Sequence, residues 1–160
     1  MDNLDAKTRS RVMSSVKPYN TRLELRVRRV LHAAGLRYGL HRHNLPGRPD
    51  IILSRHRMVV FVHGCFWHWH GCSRCSLPKS NRSFWVRKLN GNRKRDRQHL
   101  GSLRDLGWRI EIIWECQVER ATRHLVDKLL GEVKALKTRG RGRRSAPVML
   151  SPGHSSSATR

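Results

Sequence analysis

Residues 61–72, Phe-Val-His-Gly-Cys-Phe-Trp-His-Trp-His-Gly-Cys, place the tightest constraint on how this chain can fold. Twelve positions hold two cysteines, three histidines and four aromatic residues. The stretch begins inside an apolar run, Met58 to Val62, that reads as a buried strand. Thiolate sulfur and neutral imidazole nitrogen suit a borderline-soft, tetrahedral ion, so zinc is the metal this spacing requests. The rings between those ligands cannot all face a core while their neighbours hold a metal. Some must project.

Charge says what a projecting ring would meet. The chain carries 34 Lys and Arg against 11 Asp and Glu, a formal net charge of +23 in 160 residues. Arginine outnumbers lysine, which favours planar, bidentate recognition of phosphate. Nucleic acid is the partner such a balance selects, with counterion release supplying much of the affinity. No run approaches the length of a membrane span and no signal-peptide pattern opens the chain, so the sequence speaks against membrane and secreted readings.

Cysteines 65, 72 and 75 cluster while Cys116 lies far off, a pattern of metal ligation and not of a disulfide scaffold. Cys65, His70 and Cys72 need a fourth ligand. Cys116 follows a strand ending at Trp114 and reaches the cluster if that strand joins the same sheet. Cys75 is the rival, because Cys72-x-x-Cys75 has ordinary zinc spacing. A closed set of four protein ligands makes the site structural.

Along the chain, residues 1–19 read as a flexible basic arm, 20–136 as the folded domain and 137–160 as a disordered basic tail. Thr21 and Glu24 form a capping box before an apolar series at Leu23, Val27, Val30 and Leu31 that Gly35 stops; Arg22, Arg26, Arg28 and Arg29 fall on the exposed face. Tyr38–His43 reads as a strand, and Ile51–Leu53 and Met58–Val62 as a hairpin. A helix over Ser83–Leu89 and another from beyond Gly91 to Leu106 precede a strand at Trp108–Trp114 and a helix at Arg120–Leu136. The class is α/β, a mixed central sheet flanked by helices.

With so few acids, the search for catalytic carboxylates is short. Asp96, Asp105 and Asp127 sit beside Lys or Arg on helices, where surface pairing explains them. Asp50 starts a strand behind two prolines and a glycine; it is either a carboxylate for a hard cation such as Mg²⁺ or a turn acceptor for backbone amides. His68, held in the metal loop, suits a general base or a phosphate contact. His63 orients a phosphate or packs, and Glu24 serves the capping box or the site. Phe66, Trp67, Trp69 and Trp85 are candidates for insertion between base steps, with one of Phe84 and Trp85 packing on the core.

Gly47-Arg-Pro-Asp50, His63-Gly-Cys-Phe-Trp-His68, Phe84-Trp85, Arg95-Asp-Arg97 and Leu106-Gly-Trp108 through Trp114-Glu-Cys116 resemble, in order, the very-short-patch repair (Vsr) endonucleases. The likeness runs from about Asp5 to Leu136. It implies a restriction-endonuclease-like fold, catalytic Mg²⁺, one structural zinc, and a bacterial, cytoplasmic, nucleoid-associated monomer. The implied reaction nicks double-stranded DNA 5′ of the thymine in a T:G mismatch left by deaminated 5-methylcytosine. By the resemblance Asp50 and the main-chain carbonyl of Val62 bind Mg²⁺, His68 is the base, His63 lies by the scissile phosphate and Glu24 supports the site. Cys65, His70, Cys72 and Cys116 hold zinc, and Phe66, Trp67 and Trp85 form the wedge. This chain departs from the pattern at Val62, where the family can carry threonine, and at Trp69 and Gly71, where it can carry histidines. Cys75 has no family counterpart in role. Two other functions fit the residues without the resemblance: a zinc-stabilised module that binds distorted duplex, and a restriction-type nuclease.

Overall fold

The computed structural model describes Thr8, Arg11 and residues 19–40 and 43–142. Most of the expected arm and residues 143–160 of the expected tail lie outside the described residues, while residues 137–142, expected to be disordered, belong to the last helix.

Helix α1 spans Arg22–Ala33. Its capping box forms as the sequence requires: Glu24 N–H donates to Thr21 Oγ1 at 3.2 Å, and Thr21 N–H donates to Glu24 Oε1 at 3.2 Å. Gly35, with φ of 73°, takes the left-handed conformation that ends the helix. Val27 and Leu31 are buried, and so is Arg28, which the sequence pattern put on the outer face. The reason is Glu24 one turn earlier: Arg28 Nη2 donates to its Oε2 at 2.6 Å, and a paired guanidinium tolerates burial.

Strands β1 (Ile51–Leu53) and β2 (Met58–His63) form the expected antiparallel hairpin, with Ile52 opposite Val59. Strand β3 (Arg109–Trp114) pairs parallel to β2, with Val59 opposite Ile110 and His63 opposite Trp114. The mixed sheet therefore has the order β1-β2-β3. Among the described residues, the expected strand over Tyr38–His43 is reduced to one antiparallel bridge, Gly39 with Ile52.

A short helix α2 (Cys65–His68) follows β2 at once, and the long helix α3 runs unbroken over Arg82–Asp105. Two helices separated at Gly91 were expected there. One internal glycine costs about 1 kcal/mol, and buried Trp85, Leu89 and Leu103 anchor the helix on both sides of it. Leu103, with Leu100, packs with Leu45, Ile52, Val59, Phe61 and Ile110. The register shows that Ile52, Val59 and Ile110 share one face of the sheet, so α3 covers that face. Gly107, φ of 75°, ends α3 as expected.

Helix α4 spans Val118–Gly142, longer at both ends than the expected Arg120–Leu136. The chain divides into two compact units between Asp127 and Lys128. Thr122 and Leu125 are buried in the first; in the second, Leu129 is buried. No helix of the described residues is long and apolar enough to cross a membrane.

Candidate active site and metal centre

Strand alternation carries the functional side chains. In β2, His63 continues the Val59–Phe61 face, the face that α3 covers. Helix α2 then turns the chain back so that the His68 ring stacks on His63, with centroids 3.6 Å apart and planes within 3°. From α3, Asp96 Oδ2 lies 2.7 Å from His68 Nδ1. Burial alone would raise the Asp96 carboxyl, but the His68 hydrogen bond and the charges of His68, His63 and His99 hold it below the ordinary value. An ionised carboxylate only accepts, so Nδ1 of His68 carries a proton and donates it to Asp96.

Asp96 was read from sequence as a surface carboxylate paired with neighbouring arginines. The structure corrects this: its partner is His68, 28 residues away in the chain. A signal was present, because Lys88, Asn92, Asp96 and His99 recur at helical spacing and line one cleft.

His63 is pushed down to about 3, chiefly by burial and next by His68, with Asp96 opposing; it is neutral near pH 7. Its Nδ1 is buried and has no hydrogen-bond partner among the described residues. Asp50 immediately precedes β1, and its Oδ2 accepts the Val62 N–H at 2.7 Å. Burial pushes the Asp50 carboxyl up to about 6; Glu24 adds to this, while the Val62 N–H, Arg28 and His68 oppose it. A carboxylate that burial disfavours as an anion is a carboxylate suited to a cation. Asp50, Val62, His63, His68, Asp96 and Glu24 all line one open cleft of about 1110 Å³, roomy enough for a hydrated Mg²⁺ and a phosphodiester.

Glu24 is committed elsewhere. It is 3% exposed, takes the Asn20 and Thr21 amides and the Thr21 hydroxyl, and pairs with Arg28. Both readings of this residue therefore meet in one side chain: it caps α1 and it charges one wall of the cleft.

Beside the cleft, Cys65 Sγ, a His70 ring nitrogen, Cys72 Sγ and Cys116 Sγ lie within 4.8 Å of one another. His70 Nε2 is 3.3 Å from Cys65 Sγ and 3.6 Å from Cys116 Sγ. Ligand edges of about 3.6 Å are what tetrahedral zinc requires between sulfur and nitrogen. Burial pushes the Cys65 thiol up to about 12; the Cys116 backbone N–H opposes this, while the Cys72 and Cys116 thiols add to it. The donor set thus fits Zn²⁺. Parallel pairing of β3 with β2 delivers Cys116, two residues beyond the His63–Trp114 pair. Cys75 falls outside the four-ligand group. Trp114 joins the two centres: its ring stacks on His70 at 4.0 Å and meets His63 edge-on at 5.3 Å.

Phe66 and Trp67 stand half-buried on α2, 5.1 Å apart. Trp85, expected to project with them, is 8% exposed and packs edge-on against Phe66 at 5.3 Å. Its helical neighbour Phe84 is the ring left in solvent, at 45%. Trp85 shares the inward face of α3 with Leu89, four residues on, which is why it and not Phe84 is buried.

A family model described as DNA mismatch endonuclease Vsr matches residues 1–74. The DNA mismatch endonuclease Vsr of Escherichia coli is 39% identical over 128 residues, 80% of this chain and 81% of that protein. The chain belongs to the Vsr family. Two further proteins are similar to it. Type II nicking enzyme V.XorIIP of Xanthomonas oryzae pv. oryzae is 45% identical over 117 residues, 73% of this chain and 86% of its own length. Type II nicking enzyme V.NmeAIP of Neisseria meningitidis is 36% identical over 135 residues, 83% of this chain and 96% of its own. These alignments extend beyond residue 74, so the Vsr relationship takes in more of the domain than the family model alone.

Proposed function

We propose that this protein is a Mg²⁺-dependent endonuclease that nicks double-stranded DNA 5′ of the thymine in a T:G mismatch. Family membership makes it a strand-nicking DNA endonuclease, a phosphodiester hydrolase. The observation that carries the finer reading is the His68–Asp96 pair stacked on His63 in the same cleft as Asp50. A module that only bound DNA would have no use for it.

Asp50 and the main-chain carbonyl of Val62 would hold Mg²⁺, which would supply positive charge to the scissile phosphate and the leaving oxygen. His68 Nε2 takes the proton of the attacking water, and Asp96 orients the ring and stabilises the imidazolium. His63, neutral and with its Nδ1 unpartnered, offers a hydrogen bond to a phosphate oxygen. Glu24 keeps Arg28 and the start of α1 in place at the cleft wall. Cys65, His70, Cys72 and Cys116 bind a structural zinc that fixes the loop carrying His68.

Phe66 and Trp67 enter the stack at the mismatch, with Trp85 as the ring behind them. Stacking on each ring contributes about 1–3 kcal/mol, against an unstacking cost that is lower at a mismatched pair. The chain works as a monomer in a restriction-endonuclease-like fold, in the bacterial cytoplasm at the nucleoid. Asp50→Ala and His68→Ala test this reading in a gel-shift and nicking experiment on one T:G duplex. Both variants should bind it as the parent does and leave it intact. Nicking by both at the parent rate would remove the site assignment.

A further inference from the structure

The metal centre holds one thiol that the function above leaves unused. Cys75 Sγ is 3.6 Å from Cys72 Sγ. Three hydrogen bonds keep it there. Its amide donates to Cys72 O at 2.9 Å, its thiol donates to Cys65 O at 3.2 Å, and Trp69 Nε1–H donates to Cys75 O at 3.1 Å. Trp69 makes this bond from a left-handed backbone, φ of 41°, at the end of α2. The Cys72–Cys75 bond closes a turn, which holds the two Cα atoms within about 7 Å. That is the separation at which a disulfide forms by side-chain rotation alone, bringing the sulfurs to about 2.0 Å. Cys65 is fully buried, whereas Cys72 and Cys75 are only partly buried.

Resting on the zinc reading above, we propose that Cys72 and Cys75 are a reversible oxidation site that takes a hydroperoxide and opens the metal centre. The Cys72 thiolate attacks one peroxide oxygen; the S–O bond forms, the O–O bond breaks, and the other oxygen leaves as water or alcohol with a proton. Cys75 sulfur then attacks the sulfenic sulfur of Cys72. The S–S bond forms, the S–O bond breaks, and hydroxide departs as water with the Cys75 proton. Two electrons pass from the sulfurs to the peroxide. One ligand sulfur is withdrawn, leaving Cys65, His70 and Cys116. The α2 loop that carries His68 loses its anchor, and a dithiol reductant with added zinc restores it.

The test treats the purified full chain with hydrogen peroxide, follows released zinc with a chromogenic chelator, and maps disulfides by peptide mass spectrometry. The expected result is a Cys72–Cys75 disulfide formed in parallel with zinc release, both reversed by dithiothreitol and zinc. Cys75→Ser should purify with the parent's zinc content and lose zinc at a rate like the parent's, because Cys72 is oxidised first in both, but fail to recover, because Cys72 proceeds to sulfinic acid. Disulfides mapped to Cys65 or Cys116, equally reversible release from Cys75→Ser, or a zinc-free Cys75→Ser would each overturn the proposal. Zinc-free parent protein that still forms the Cys72–Cys75 disulfide would fail the zinc reading and uphold the thiol pair. Zinc-loaded parent that forms no such disulfide would fail the pair alone.

Discussion

Replacing Asp50 by asparagine should stabilise the Mg²⁺-free protein while abolishing its activity. Burial raises the Asp50 carboxyl from 3.8 to about 6, against the Val62 N–H that favours the anion. At about 1.4 kcal/mol per pH unit, keeping Asp50 ionised at pH 7 costs the fold up to ~3 kcal/mol. Asparagine is neutral, keeps the shape, and still offers Oδ1 to the Val62 N–H. A carboxyl raised on folding contributes stability that is full below about 3.8 and is lost as pH rises through about 6. The variant and parent should therefore melt together near pH 4 and diverge toward pH 7, with Asp50→Asn higher by ~1–3 kcal/mol, or ~3–10 °C. His63, pushed down to about 3, costs stability as pH falls below 6.5, but equally in both proteins, so the difference isolates Asp50. Millimolar Mg²⁺ should raise the melting temperature of the parent and leave that of Asp50→Asn unchanged. Thermal melts across this pH range, on zinc-loaded protein desalted of Mg²⁺, make the measurement. A variant less stable than the parent at pH 7, or an offset that does not change with pH, would refute the reasoning.

Asp96→Asn should slow single-turnover nicking by about 10²–10⁴-fold while preserving affinity for DNA, since it removes the negative charge that holds the His68 tautomer and stabilises its imidazolium. A rate within a few-fold of the parent would mean that the pair does no proton transfer. Stripping zinc with a strong chelator should unfold the domain by circular dichroism and not only silence it; a folded, inactive apoprotein would contradict a structural site. Trp85→Ala should destabilise by about 3–5 kcal/mol as a buried ring is lost, seen in urea unfolding. Trp67→Ala should instead leave stability nearly intact and erase the preference for T:G in competition binding. The opposite ranking would exchange the roles of wedge and support.

The grouping of Cys65, His70, Cys72 and Cys116 was legible in the sequence because its members are local apart from Cys116, and that one follows from pairing two apolar strands. The capping box at Thr21 and Glu24 and the stops at Gly35 and Gly107 are short-range devices, and each forms where the residues ask for it. Asp96 was not legible from its neighbours, because Arg95 and Arg97 describe a solvated face and its real partner is brought in by tertiary packing. Gly91 misled for a related reason: a local helix penalty of about 1 kcal/mol yields to the burial of Trp85, Leu89 and Leu103. The choice between Phe84 and Trp85 was decided by Leu89, four residues from Trp85. The strand expected at Tyr38–His43 has only Tyr38 and Leu40 as hydrophobic residues to hold it to the sheet, and among the described residues only Gly39 pairs with β1.

The most direct test of the whole account is cleavage of an end-labelled duplex with one T:G pair in a cytosine-methyltransferase site, with matched T:A and C:G duplexes beside it. Zinc-loaded protein is assayed with and without Mg²⁺. The account predicts a single Mg²⁺-dependent nick on the 5′ side of the mismatched thymine, and intact matched duplexes. Cleavage of both strands, equal cutting of the matched DNA, or nicking that persists without a divalent cation would contradict it.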